Sequence, residues 1–224
     1  MVEITVIIEG GVVNTDTVDV LTVDNSQALG ESINRIFRIL LDADVRIIIQ
    51  PSAGYRNAAV QFIEKSKQKT FLYVDLDDRK ENIPNWFTKL ETENPNRPIK
   101  IPETKRQNVF FMIQEMEAWI LKQPASIDRW GVANDYLRLP PTDIIADHSL
   151  IAGKNIEEIE KPTKVLKNLI KHFFWKKDNG KKKKLQYGKL KSAPGILDQL
   201  DVHQLLENDS ELQRFCKSVV TSKS

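Results

Sequence analysis

One cysteine, three histidines and no long apolar run set the first limits on this chain of 224 residues. Cys216 alone excludes an internal disulfide and a thiolate-rich zinc site, and it agrees with a reducing, cytoplasmic setting. His148, His172 and His203 are scattered and lack metal-ligand spacing. No phosphate loop ending in Gly-Lys-Ser/Thr and no GxGxxG motif occurs, which argues against intrinsic ATP hydrolysis and dinucleotide binding. Nowhere do about 18 apolar residues follow one another, so no membrane span is expected. The N-terminal apolar run has Glu3 where a secretory leader carries basic residues, and it stops at Glu9-Gly10. That reads as a first strand rather than a signal peptide.

Acidic residues are nearly absent from one stretch. Between Lys161 and Lys191 twelve lysines face the single acid Asp178, a charge of +11 that leaves −9 for the rest of a chain whose total is +2. An acidic body with a basic appendage draws in a polyanion, although solvated lysine runs are commoner than binding sites. The 41% hydrophobic content is that of an ordinary globular protein, large enough for a core domain with an appendage.

What is present reads as α/β. Ile4 to Ile8, Val45 to Ile49, Thr70 to Val74 and Val109 to Ile113 read as strands, mostly apolar as parallel strands buried on both faces require, with Arg46 interrupting the second. Between them, helical spacing appears from Ser26 (Leu29, Ile33, Ile36, Phe37, Leu40, Leu41, with Asn25 or Ser26 as N-cap), over Tyr55 to Gln68, and around Ile83 to Leu90. Residues 12–25, with Val18, Val20 and Leu21, suggest an extended excursion. The alternation predicts a mostly parallel sheet of four strands, or slightly more, flanked by helices. A core over 1–123 is expected, followed by a helical extension over 124–221. In the latter, Ile127 to Val132, Pro162 to Phe174 and 192–218 read as helical, Lys181 to Lys184 as a loop or hairpin tip, and Ser222 to Ser224 as a disordered tail.

The strand ends carry the chemistry. The first run ends in Glu9, the third in Asp75 and Asp77, and the fourth in Glu115 and Glu117, so three of four deliver acids to the edge where open α/β sheets bind ligands. Carboxylates about 4 Å apart repel by a few kcal/mol at an effective dielectric near 20, so gathering them calls for a cation or a shared proton. Hard oxygen donors suit Mg²⁺ or Mn²⁺. Asp in turns and Glu in a first helical turn also occur for structural reasons alone. Helical positions two apart lie about 200° round from each other, so one of Glu115 and Glu117 is expected to face the ion. Arg56 is a candidate phosphate clamp, with a surface arginine the equal alternative. Lys189 is a second candidate, and Lys181, Lys182, Lys183, Lys184, Tyr187 and Lys191 are candidate nucleic-acid contacts in the basic segment. Phe173, Phe174, Trp175 and Tyr187 could stack on bases, though aromatics at such spacing more often belong to a core.

On Ile8-Glu9-Gly10, Gly54-Tyr55-Arg56-Asn57, Val74-Asp75-Leu76-Asp77, Met112 to Trp119 and Tyr187-Gly188-Lys189 with Ser192, the chain resembles domain-of-unknown-function family 4276 (DUF4276) over nearly its full length. Glu9 and the Asp75/Asp77 pair also resemble the acidic signature of the Toprim superfamily. The chain departs from that signature in lacking a glycine after Asp78 and in its long step after Glu9. The resemblance implies a Toprim-like fold and favours Glu117 over Glu115 as the functional acid. It further implies Mg²⁺- or Mn²⁺-dependent phosphodiester hydrolysis of DNA or RNA, as an accessory nuclease beside an ATPase partner in phage defence. The alternative is a non-catalytic module that binds such a partner. A sugar-nucleotide transferase would explain Asp75 and Asp77 but not the acids after the first and fourth strands.

Overall fold

A computed structural model describes residues 2–10, 20–65 and 69–221. In chain order it contains β1 (Val2–Glu9), α1 (Val20–Leu40), β2 (Val45–Ser52), α2 (Gly54–Glu64), β3 (Lys69–Asp75), α3 (Ile83–Thr92), α4 (Glu103–Arg106) and β4 (Val109–Met112). The second half contains α5 (Glu117–Leu121), α6 (Ala125–Ala133), β5 (Leu137–Arg138), α7 (Pro162–Phe173), β6 (Phe174–Asp178), β7 (Lys181–Lys184), α8 (Lys189–Leu197), α9 (Val202–Glu207) and α10 (Ser210–Thr221).

The four apolar runs form one all-parallel sheet in the order β2-β1-β3-β4. Side chains alternate across it as the pleat requires. Ile4, Val6, Ile8, Phe71, Tyr73, Phe110 and Met112 share one core with α1 and the C-terminal helices, while Ile7, Leu72, Val74, Val109 and Phe111 share the other with α2 and α3. The first core runs across the 123/124 boundary, because it also holds Leu166, Ile170, Ile196 and Phe215. Phe215 of α10 lies against four rings from α1 and the sheet, with centroids at 4.7 Å to Phe37, 5.7 Å to Phe71, 5.5 Å to Tyr73 and 5.3 Å to Phe110.

α10 also closes the outer edge of β4. Glu211 accepts the Phe111 N–H at 3.3 Å, and Arg214 donates to the Val109 carbonyl while its guanidinium lies 4.1 Å from the Phe110 ring. An edge strand otherwise offers such groups to another chain.

Three expectations change. Helix α1 begins by Val20 and runs through Asn25 and Ser26, which are therefore not its cap, and the β-branched residues there do not form an extended excursion. Residues 11–19 lie outside the described residues, as do 66–68 and the expected disordered tail, 222–224. Lys181 to Lys184 is a strand rather than a tip: β6 and β7 pair antiparallel around Asn179-Gly180 and, with β5, make a second, three-stranded sheet. Among the described residues no helix is long and apolar enough to cross a membrane.

Phe215→Ala removes the ring that four others pack around and is expected to destabilise the chain by about 3–5 kcal/mol. Urea denaturation checks this, and a loss under about 1 kcal/mol would contradict the packing described.

Candidate functional site

The sheet register brings the acids together. Ile8 pairs with Tyr73 on the adjacent strand, so Glu9 stands one residue and Asp75 two residues beyond the same rung. Gly10, at φ 112°, turns the chain away at once and donates its N–H to the Ser52 carbonyl at 3.0 Å. Only glycine adopts that conformation readily.

Beyond β3 and β4 the two exits interlock. Asp77 and Gln114 both adopt left-handed backbone, at φ 57° and 62°. The Asp77 N–H donates to the Gln114 carbonyl at 2.7 Å, and the Gln114 N–H donates to the Asp78 carbonyl at 3.0 Å. Left-handed conformation at non-glycine residues marks backbone held by its surroundings, and such positions cluster at functional sites.

Each carboxylate is then held separately. Asp75 accepts the Met116 N–H at 2.9 Å on one oxygen and the Lys189 ammonium at 2.8 Å on the other. Glu117, fully buried at the start of α5, accepts the Tyr187 hydroxyl at 2.8 Å, and its second oxygen lies 3.7 Å from Lys189. Glu9 accepts the backbone N–H of Tyr55, and its Oε2 is buried with no hydrogen-bond partner.

Burial, reinforced by the charges of Asp75 and Asp77 and opposed by Lys189, raises the Glu9 carboxyl to about 7. Burial and Asp75 also raise Asp77, with Glu115 adding to the effect. Burial raises Glu117 against the pull of Lys189. For Lys189 itself burial opposes the charge, but Asp75, Glu117 and Glu9 outweigh it and hold the ammonium above its ordinary value. This lysine is the cation that the gathered acids call for.

Not every candidate joins. Glu115 sits in the turn before α5 and binds Thr163, accepting its N–H at 2.7 Å and its hydroxyl at 2.6 Å. Arg56 is directed elsewhere: its guanidinium donates to the carbonyls of Leu90 and Arg97 and lies 3.6 Å from Glu93, so it ties α2 to α3. Tyr187 is buried beneath the site as a hydrogen-bond donor to Glu117, with no open face for a base. Phe173 and Phe174 are core. Lys181, Lys182, Lys183, Lys184 and Lys191 are exposed, on β7 and α8. Thr163 and the Tyr55 N–H are partners that no sequence signal announced. His148 and His172, scattered in sequence, meet with ring centroids 5.0 Å apart, and burial and His172 lower the pKa of His148.

Trp119, at the end of the Met112 to Trp119 stretch that helps carry the resemblance, is structural. Its indole N–H donates to Asp209 at 2.9 Å, and Asp209 also accepts from Lys122 at 3.0 Å.

Residues 28–219 match the family described as domain of unknown function (DUF4276). The chain belongs to the DUF4276 family. No curated protein and no solved structure matches it. In this DUF4276 chain the matched span includes Asp75, Asp77, Glu117, Tyr187 and Lys189, while Glu9 precedes it.

Among the described residues no three acidic, histidine or cysteine side chains are grouped so as to ligate one ion. Magnesium does not require such a group, because it binds through one or two carboxylates, keeps waters and takes the remaining oxygens from substrate phosphates. Glu9, with its unpartnered Oε2, and Asp75 fit that mode.

The raised Glu9 carboxyl has a consequence for stability. The folded chain keeps this proton up to about pH 7, whereas the unfolded chain loses it near 4.5, so the folded state binds more protons between these values. Stability therefore falls as pH rises through that window. Glu9→Gln removes the effect, and in EDTA the variant is expected to gain on wild type from about pH 4.5 to 7 and to melt higher at pH 8. Parallel melting profiles across that range would show that the Glu9 charge is not buried.

Proposed function

We propose that this edge is a Toprim-like, metal-dependent site that hydrolyses phosphodiesters of nucleic acid. What carries the reading is the meeting of Glu9, Asp75 and Glu117, which come from three separate segments, around the ammonium of Lys189, with Asp77 close to Asp75.

Glu9 and Asp75, with Asp77 beside them, would hold a Mg²⁺ or Mn²⁺ ion that arrives with the substrate phosphate. Bound there, such an ion polarises a phosphoryl oxygen and eases deprotonation of water. The remaining work belongs to the chain. Lys189 supplies positive charge toward a phosphate approaching the acids, and Met116 and Tyr187 orient Asp75 and Glu117.

A rival reading rests on the same lysine. Asp75 has both oxygens bonded, one of them to Lys189, so the ammonium could be a permanent counterion in a non-catalytic module.

Strand scission of a labelled oligonucleotide separates the two. Wild type is expected to cleave with Mg²⁺ or Mn²⁺ and to stop in EDTA, and Asp75→Asn and Asp77→Asn each to lose about 100-fold or more in rate. The metal should raise the Tm of wild type and not that of Asp75→Asn. A wild-type chain that neither cleaves nor gains thermal stability with either metal ends the proposal in favour of the counterion.

A further inference from the structure

A second charged cluster lies on the small sheet. Its ladder sets Lys176 opposite Lys183 and Lys177 opposite Lys182. Beside this ladder is a cavity of about 410 Å³ lined by Lys176, Lys183 and Lys184 from the hairpin, Lys191 from α8, and the rings of Trp130 and Tyr136. Among the described residues no acidic side chain lines it.

Charge alone would suit any polyanion, but the cavity offers more. Tyr136 is the partly open ring, backed edge to face at 5.1 Å by the buried Trp130, and Asn134 and Gln186 line the same space. An aromatic surface flanked by amide groups fits a flat ring with a polar edge, as unpaired bases are recognised. The volume lies within the usual range for one small ligand, on the order of 300–1,000 Å³. A base still paired and stacked in a duplex cannot enter such a space.

We propose that this cavity seats an unpaired nucleotide of a single-stranded nucleic acid, with its phosphates on the lysines and its base against Tyr136. The inference rests on the phosphodiester reading of the acidic edge and names the form of the substrate. α8 connects the two places. Lys189 and Lys191 are two positions apart in its first turn, so they project to opposite sides, one to the acids and one to the cavity.

The test is fluorescence anisotropy with labelled oligo-dT and oligo-U of about 12 nucleotides, in EDTA and over a salt series. The triple variant Lys176→Gln/Lys184→Gln/Lys191→Gln should bind at least tenfold more weakly. Its slope of log K against log salt should be shallower by about 2, since each phosphate contact with a single strand contributes about 0.7. A control triple, Lys164→Gln/Lys167→Gln/Lys171→Gln on α7, removes the same charge and should change affinity less than threefold. Tyr136→Leu should weaken binding with the slope unchanged, and single Lys191→Gln gives a milder variant should the triple fail to fold.

Oligo-dT and oligo-U differ in both sugar and base methyl, so a preference between them leaves the sugar open, and either outcome supports the site. Equal losses in the two triples, no binding by wild type, or wild-type binding to a duplex or to heparin as tight as to the single strand overturns it. Binding that persists in a wild-type chain unable to cleave ends only the hydrolytic reading. Cleavage that persists when the cavity variants bind normally ends only this one.

Discussion

Carboxylates from distant parts of a chain cannot be brought to one rim without positive charge, and here the charge is Lys189. Its ammonium contacts Asp75 and approaches Glu117, and its field reaches Glu9. The arrangement of the second half follows from this requirement. α8 has to begin where Lys189 faces the end of β3, Tyr187 has to precede it at the level of Glu117, and the packing of α8 on α1 holds both in place. Glu9 is left incompletely neutralised, as its raised pKa and its unpartnered oxygen both indicate. A rim whose acids outnumber its lysine is poised to accept a further cation or a proton.

Much of this was legible before any coordinates. Runs such as Thr70 to Val74 have no polar interruption, so they fit only a strand covered on both faces, and the acids that end them fall at the carboxyl edge. Lys189 was also identifiable, because it stands beside Tyr187 and Gly188 in a basic segment. What escaped depends on contacts across long separations. Arg56 looked like a phosphate clamp, but its fork is satisfied by the carbonyls of Leu90 and Arg97, whose position only the tertiary fold determines. Tyr187 looked like a stacking ring, whereas burial makes its hydroxyl the important part. Glu117 is held by Tyr187 and lies near Lys189, while Glu115 takes different partners, and helical phase does not decide the difference. Glu115 precedes the helix and is drawn off by Thr163, 48 residues later.

The left-handed residues were equally hidden. Asp77 and Gln114 carry no glycine to announce them, and their conformations are imposed by the reciprocal backbone bonds between the two loops. The start of α1 was obscured for the opposite reason. Valine and leucine around residue 20 read locally as extended, and the helix there prevails over their β preference.

The position of Phe215 has a consequence during synthesis. The face of the sheet that it covers is complete in sequence by Met112, roughly a hundred residues before that ring is translated. A ribosome adding about 5–20 residues per second leaves those aromatic side chains, and the open border of β4, bare for some seconds. Emerging copies on one polysome would then be exposed to mutual strand pairing until the last helix arrives.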